Sequence, residues 1–216
     1  EPKAGVVPTA TLIFLHGLGD MGAGWEWFGD IVTKRFRHLR VILPTAPIRK
    51  VSINGGYPMT AWYDIKSLSS RDDEDTNGLD ESRLFLESLI EKEMSEHNIP
   101  SNRVLIGGFS QGAAVSLFST YQSEKQLAGC VALSGYLASA DYWSSNLRDA
   151  NRNTPLLMCH GTRDDVVKFQ WATQSRDKLL AHNIPLTFKE YPMRHEANDE
   201  EIRAVIDFIT ERLPPL

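Results

Sequence analysis

Short apolar runs alternate with amphipathic stretches along most of this chain. Runs of roughly four to eight apolar residues are typical of buried strands, whereas apolar residues three and four positions apart indicate a helix. Strands that alternate with helices are typical of a parallel sheet with helices on both faces, so the pattern predicts an α/β fold. The predicted strands cover residues 10–15, 40–43, 104–108, 127–134, 155–159 and 185–191, and the predicted helices cover residues 27–32, 79–94, 170–181, the stretch after Ser110 and the stretch after Asn198.

Residues 45–77 break this alternation. They show little regular period and form a long connection for a compact domain, which is typical of functional or disordered loops. Their first part is apolar and aromatic, and we interpret it as a packed cap over a site. Residues 69–75 are acidic and polar and are predicted to form a solvated loop. No repeat or linker divides the chain, so we expect one domain over residues 1–216, with a cap-like loop segment at about 45–77.

Composition narrows the class of protein. The 216 residues carry 23 Lys and Arg against 28 Asp and Glu, a net charge of −5. This balance, without a long basic cluster, argues against a nucleic-acid partner. The two cysteines give neither metal-ligand spacing nor a disulfide framework, which favours a reducing compartment. No apolar run approaches the ~18 residues of a membrane span and no signal peptide is visible, so we expect a cytoplasmic protein.

The most specific motif follows the strand predicted at residues 104–108. Gly108-Phe-Ser-Gln-Gly112 has the G-x-S-x-G pattern of the nucleophile elbow, in which a strand turns sharply into a helix and exposes the serine at the bend. The serine is expected to have a strained backbone, and its neighbours two residues away must lack bulk because strand and helix almost touch. The helix N-terminus favours an oxyanion. Ser110 is therefore the candidate nucleophile, and a purely structural turn is the alternative.

A serine nucleophile needs a base, and the base needs a group that orients it. His195 lies between the last predicted strand and the last predicted helix, where the base occurs when the chain order is Ser, acid, His. His16 and His160 each precede a glycine at a strand end, and we interpret them as structural. The acid should follow the preceding strand, where Asp164 and Asp165 both qualify. Spacing alone does not choose between them.

An oxyanion hole in this arrangement takes one backbone N–H from the residue after the nucleophile and one from an early glycine-rich loop. Gln111 supplies the first by position, and Leu18 in His16-Gly-Leu-Gly19 is the predicted second donor. The same loop has G-x-G-x-x-G spacing at residues 17–22. However, no acidic residue follows at the end of the second strand, so a dinucleotide site is not predicted.

Several longer motifs give the chain a resemblance to a known family. Over nearly its whole length it resembles the acyl-protein thioesterase and lysophospholipase family of small α/β-hydrolases. The motifs are Phe14-Leu-His-Gly-Leu-Gly-Asp20 with Trp25, Pro44-Thr-Ala-Pro47, Ala61-Trp-Tyr-Asp64, Ile99-Pro-Ser-Asn-Arg103, Gly107-Gly-Phe-Ser-Gln-Gly112, Leu127-Ala-Gly129 with Ala132-Leu-Ser134, and Cys159-His-Gly161.

The resemblance implies the α/β-hydrolase fold, with Ser110 as nucleophile and His195 as base. The family places its acid three residues after the glycine of the His-Gly pair, which is Asp164 here. The acid is kept although its neighbours differ, since the chain has Gly-Thr-Arg-Asp-Asp where the family usually has Gly-Asp-x-Asp-Pro. The resemblance also implies an oxyanion hole at Leu18 and Gln111.

The resemblance further implies an acyl groove lined by the loop around Trp62 and by Val166 and Trp171. Animal members tend to carry a Met pair before the base, where this chain has Met193-Arg194. Arg194 therefore adds a charge beside the catalytic loop, where it bears on substrate preference.

We therefore hypothesise a serine hydrolase that removes long-chain fatty acyl groups from S-acylated proteins. We also expect esterase and lysophospholipase side activity on lipid esters, and transient contact with membrane surfaces. We expect no cofactor and no metal. One alternative is a broad carboxylesterase that prefers short acyl chains. Another is a non-catalytic ligand-binding module, because fold does not fix function. A series of acyl chain lengths separates the first two, and an active-site serine probe decides the third.

Overall fold

The structure, a computed structural model, describes residues 7–216. Strands and helices alternate along most of this range, as the hydrophobic pattern predicts. The strands are β1 (Ala10–Leu15), β2 (Leu39–Ile42), β3 (Ile48–Val51), β4 (Tyr57–Thr60), β5 (Val104–Phe109), β6 (Gly129–Leu133), β7 (Leu156–Gly161) and β8 (Leu186–Tyr191), and the helices are α1 (Glu26–Arg35), α2 (Thr76–His97), α3 (Gln111–Thr120), α4 (Ala140–Ser145), α5 (Phe169–Ala181) and α6 (Asp199–Arg212).

Six strands of the described residues form one sheet in the order β2-β1-β5-β6-β7-β8. Every neighbouring pair in it is parallel. The predicted parallel sheet is therefore confirmed, with the α/β-hydrolase type of alternation. Strand β2 pairs with one edge of β1, and β5 pairs with the other edge of β1. Ligands bind in such sheets at the carboxyl ends of the strands where the strand order reverses, which is between β1 and β5 here.

Apolar side chains fill both faces of this sheet. Successive residues of a strand point to opposite faces, so Ile106 lies in the cluster covered by α2, α3 and α5, whereas Leu105 lies in the cluster covered by α1 and α6. Helix α3 is buried along its whole length. The predicted helices on both faces of the sheet are thus confirmed, and the loops that follow β1 and β5 leave strands that are buried at the centre of the sheet.

The region predicted to lack regular structure contains an antiparallel hairpin. Strands β3 and β4 pair from Ile48 opposite Thr60 to Val51 opposite Tyr57. The hydrophobic pattern does not predict this hairpin because each strand has only four residues and β4 contains Pro58, which weakens a strand signal. Helix α4 is likewise covered by none of the predicted elements.

The acidic part of the same region is not a solvated loop throughout. Asp75 caps α2 by accepting a hydrogen bond from the Gly78 N–H at 3.0 Å, and it also accepts from the Asp64 N–H at 2.8 Å. The Glu74 carboxylate accepts from the Ser139 N–H at 2.6 Å. These carboxylates join the cap-like segment to α2 and to the loop before α4, so they have structural partners that polarity alone does not reveal.

Cys130 and Cys159 are both buried and unpaired. Burial raises the pKa of the Cys130 thiol to about 12, so it is protonated at neutral pH. Within residues 7–216, no group of three or more His, Cys, Asp or Glu side chains is arranged to hold a metal ion. In the same range, no helix has the length and apolar character needed to cross a membrane.

Candidate active site

The turn between β5 and α3 has the geometry that the G-x-S-x-G pattern predicts. Ser110 lies at φ 55° and ψ −117°, a strained combination for a residue with a side chain. A Cβ atom on Gly108 would lie 2.4 Å from the Gly112 carbonyl carbon, and one on Gly112 would lie 2.3 Å from the Leu15 oxygen. Both positions therefore require glycine, and the expected backbone strain is confirmed.

Three predicted side chains lie in one hydrogen-bonded line. The Ser110 Oγ is 2.9 Å from the His195 Nε2, and the His195 Nδ1 is 2.7 Å from the Asp164 Oδ2. Asp164 is buried, whereas Asp165 is exposed and lies 3.7 Å from Arg194. Of the two carboxylates that spacing left open, the structure thus places Asp164 behind the imidazole and Asp165 at the surface.

Asp164 is surrounded by hydrogen-bond donors. Its Oδ1 accepts from the Val166 and Val167 N–H groups, both at 2.9 Å, and its Oδ2 lies 3.3 Å from the His160 Nε2. Burial opposes ionisation, but the hydrogen bonds from His160 and His195 hold the pKa of Asp164 well below its usual range. An ionised Asp164 accepts a hydrogen bond from the Nδ1–H of His195, which keeps the proton on Nδ1 and leaves Nε2 free to accept a proton from Ser110.

The structural interpretation of the other two strand-end histidines is confirmed. The His160 Nε2 donates to the Val167 carbonyl at 2.8 Å. The His16 Nδ1 donates to the Gly17 carbonyl at 2.7 Å, while its Nε2 accepts from the Ala46 N–H at 3.0 Å. Both rings are fully buried. They fix the backbone of the loops after β7 and β1, which carry Asp164 and the predicted Leu18 donor.

The two predicted oxyanion donors lie at the same edge of the sheet. Leu18 follows β1 and Gln111 follows β5, and these strands pair with Leu15 opposite Gly108. Among residues 7–216, neither the Leu18 nor the Gln111 N–H is used in a hydrogen bond. The Gln111 N–H also begins α3, where the helix dipole favours negative charge. Two unused N–H groups beside Ser110 are what an oxyanion requires.

A groove of about 500 Å³ opens beside Ser110 and His195. The Trp25 ring packs against Phe109 with centroids 5.4 Å apart, and Phe109 packs against His195 at 4.9 Å. The groove also contains two largely exposed apolar side chains, Trp27 at 47% and Val166 at 41%. The carboxyl-end loops of β1, β5 and β7 and the loop after β8 all contribute to this groove.

Of the three side chains predicted to line an acyl groove, Val166 lies at the groove beside Ser110, whereas Trp62 and Trp171 are not among the residues that line it. Trp62 is 1% exposed and donates its indole N–H to the His16 carbonyl at 2.8 Å. Trp171 is also buried and packs on Tyr136, with centroids 5.3 Å apart.

The tryptophans that do line the groove, Trp25 and Trp27, were not predicted as groove residues. Their signal is positional, because they follow the glycine-rich loop at the carboxyl end of β1.

A second buried carboxyl group lies behind the loop that carries His195. The Asn198 side chain caps α6 by accepting from the Glu201 N–H at 2.8 Å. The reciprocal bond of a capping box is not formed, since neither Glu201 carboxylate oxygen has a hydrogen-bond partner within residues 7–216. Burial raises the pKa of Glu201 to about 8.

Glu201→Gln is expected to stabilise the protein at pH 9 and to change its stability little at pH 5. In the folded protein the pKa of Glu201 is raised from 4.5 to about 8, so the contribution of Glu201 to the free energy of unfolding is fully present below about pH 4.5. This contribution falls as the pH rises towards 8, by up to about 1.4 kcal/mol per pH unit. Urea denaturation of both proteins at pH 5, 7 and 9 measures the effect. A gain that is the same at all three pH values would contradict it.

Comparison with known proteins assigns the chain to a family. Residues 3–213 match the family model described as phospholipase/carboxylesterase. "Acyl-protein thioesterase 1 homolog 1" of Dictyostelium discoideum is 48% identical over 211 residues, covering 95% of this chain and 92% of the relative. "Acyl-protein thioesterase 1" of Yarrowia lipolytica is 41% identical over 214 residues, with 95% and 92% covered.

A solved structure agrees with these sequence relatives. The crystal structure of Zea mays acyl-protein thioesterase 2 superposes with a TM-score of 0.87 at 33% identity, covering 99% of this chain and 96% of that one. The family match spans every element of the sheet and all the loops that form the candidate site. The chain therefore belongs to the phospholipase/carboxylesterase family and has the α/β-hydrolase fold.

Proposed function

We propose that this protein is a serine hydrolase that removes long-chain fatty acyl groups from S-acylated proteins. The observation that carries the proposal is the line from Ser110 through His195 to Asp164, with distances of 2.9 and 2.7 Å. This line ends at a groove with exposed apolar side chains. The names of its relatives, acyl-protein thioesterases at 41–48% identity, support thioester bonds as the substrate class.

The reaction follows the chemistry of a serine–histidine–acid triad. Ser110 attacks the thioester carbonyl carbon, and its proton passes to the His195 Nε2. The negative charge on the carbonyl oxygen is stabilised by the N–H groups of Leu18 and Gln111. The tetrahedral intermediate collapses, the C–S bond breaks, and His195 gives its proton to the leaving thiolate. The acyl group is now an ester of Ser110.

Water completes the cycle. His195 takes a proton from a water molecule, which attacks the acyl-enzyme carbonyl through a second tetrahedral intermediate. The C–O bond to Ser110 then breaks, the proton returns to the serine oxygen, and a fatty acid leaves. Asp164 holds the imidazole in the required tautomer and stabilises it when it is protonated. Oxygen esters react by the same steps, so esterase activity on lipid esters is part of the proposal.

The groove supplies the apolar surface for the acyl chain. Trp27 and Val166 are its most exposed apolar side chains, and each methylene that they remove from water contributes about 0.8 kcal/mol. A substrate with a membrane-anchoring acyl chain implies transient contact with a membrane surface. The two unpaired buried cysteines support a reducing compartment and hence a cytoplasmic location.

Trp27→Ala is expected to lower kcat/KM for a C16 acyl thioester peptide by roughly tenfold while changing the value for a C4 substrate less than twofold. The truncation removes about 2 kcal/mol or less of contact with the long chain, since the indole is half exposed. The measurement is thiol release from one peptide acylated with chains of 4, 8, 12 and 16 carbons.

Tyr142→Ala is the matched control, because Tyr142 is a 43% exposed aromatic residue on α4 that does not line the groove. It should leave the chain-length profile unchanged. A wild-type profile that is flat or falls beyond short chains would instead support a short-chain carboxylesterase.

A further inference from the structure

Trp62 connects the two segments that carry the proposed oxyanion donors. It lies between β4 and α2, is 1% exposed, and uses both of its N–H groups. Its indole N–H donates to the His16 carbonyl at 2.8 Å, and its backbone N–H donates to the Gln111 Oε1 at 2.9 Å. Gln111 in turn donates its Nε2 to the Tyr63 carbonyl at 2.7 Å. One residue thus joins the loop after β1 to the first residue of α3.

On the β1 side, the contacts of the His16 ring fix the direction of the Leu18 N–H. The Ala46 N–H binds the His16 Nε2, so the ring proton is on Nδ1, which donates to the Gly17 carbonyl. Because the peptide between Gly17 and Leu18 is planar and trans, fixing that carbonyl oxygen also fixes the N–H on its opposite edge. Burial lowers the pKa of His16 and keeps this tautomer neutral.

Trp62 restrains His16 in two ways. Its indole N–H binds the backbone carbonyl, and its ring lies against the imidazole with centroids 5.1 Å apart. The outer face of the indole stacks on Phe85 at 6.0 Å. A shift of the indole would therefore move the His16 ring and carbonyl together, and with them the peptide that presents Leu18.

On the α3 side, the Gln111 side chain is occupied entirely by the backbone of residues 62 and 63. Gln111 is 2% exposed, and its amide oxygen and nitrogen each make one short hydrogen bond. The same residue presents its own backbone N–H beside Ser110. The two donors therefore belong to segments whose separation depends on Trp62.

We infer that Trp62 is a positioning residue that sets the relative placement of the Leu18 and Gln111 N–H groups. The inference rests on the proposed function, because it assigns these groups to the oxyanion. Trp62 does not touch the reacting atoms. Its effect is therefore expected on transition-state stabilisation and not on binding of the ground state.

The test compares Trp62→Phe with Trp143→Phe. Trp62→Phe keeps an aromatic ring and the backbone N–H but removes the bond to His16. Trp143 is a fully buried tryptophan on α4 whose indole N–H has no hydrogen-bond partner in the described part of the chain. Its substitution is the matched control for loss of a buried indole.

Trp62→Phe is expected to lower kcat for a C16 acyl thioester roughly 10- to 100-fold, with KM within twofold. This is below the roughly 100- to 1000-fold cost of losing an oxyanion donor outright. The affinity for a long-chain trifluoromethyl ketone, whose serine adduct places an oxyanion at the donors, should fall by the same factor. The affinity for an uncleavable thioether analogue should stay at the wild-type value. Trp143→Phe should leave all three quantities unchanged.

Wild-type kcat and trifluoromethyl ketone affinity in Trp62→Phe would overturn the inference. So would parallel losses in both variants that follow a lower melting temperature, because those indicate a merely structural role. If Trp62→Phe does not fold, Gln111→Met is the second variant. It removes the side-chain hydrogen bonds to residues 62 and 63 but keeps the backbone N–H of residue 111, and the inference requires the same selective loss in this variant. Absence of thioester hydrolysis by the wild-type protein is a separate result, which would remove the proposed function itself.

Discussion

Ser110→Ala is expected to lower kcat for a long-chain acyl thioester by roughly 10⁴- to 10⁶-fold. The substitution removes the only oxygen within hydrogen-bond distance of the His195 Nε2 among residues 7–216. Alanine has the same Cβ as serine, so the strained backbone and the close contacts of the elbow are retained. The fold should therefore remain intact. Thiol release under saturating substrate measures the loss.

Ser134→Ala is the control for this variant. Ser134 also follows a central strand directly and also has positive φ, at 50°. Its hydroxyl is buried and has no hydrogen-bond partner within the described residues, so no base activates it. A fluorophosphonate probe should label the wild-type protein and Ser134→Ala but not Ser110→Ala. Substantial turnover or labelling of Ser110→Ala would show that another group is the nucleophile.

Much of the fold could be predicted because most helices bury one face and the central strands bury both faces. The spacing of apolar residues identifies the six strands of the sheet, since strands at its centre read as continuous apolar runs. The elbow was predictable for a different reason. A Cβ atom at position 108 or 112 would lie 2.3–2.4 Å from a backbone atom, so only glycine fits. The steric requirement can therefore be recognised in the sequence from Gly108 and Gly112.

Features that depend on which neighbour a side chain meets were not predictable in this way. The sequence pattern predicts that Trp62 belongs to an apolar segment, but it does not predict that the indole N–H of Trp62 binds the His16 carbonyl. It also does not distinguish a tryptophan that faces the core from one that faces the groove, as Trp171 and Trp27 do. These outcomes are set by long-range packing between segments far apart in the chain.

The choice between Asp164 and Asp165, which the family resemblance makes but the spacing of residues does not, is the clearest case. Spacing admits both, because either follows β7 at a distance that could reach His195. The turn decides between them. The Val166 and Val167 N–H groups bind the Asp164 Oδ1 and direct its other oxygen towards the imidazole. These hydrogen bonds form only when the loop is folded, so the order of residue types along the chain does not predict them.

Asp164→Asn is expected to lower kcat by about 10⁴-fold, whereas Asp165→Asn should retain more than half of the wild-type activity. An asparagine can still accept the two backbone N–H bonds, so the loop keeps its shape. Its remaining group towards His195 is an NH₂ donor, which cannot accept a hydrogen bond from Nδ1–H. The imidazole then carries its proton on Nε2 and cannot take one from Ser110.

Asp165→Asn controls for charge and position at once. The substitution removes one negative charge from the same loop, but Asp165 is exposed and its carboxylate lies 3.7 Å from the Arg194 guanidinium. Steady-state thiol release at saturating substrate, together with melting temperatures for both variants, separates loss of catalysis from loss of fold. Equal losses in the two variants, or a loss confined to Asp165→Asn, would mean that Asp164 does not orient the base. The triad would then need a different acid despite the 2.7 Å contact with His195.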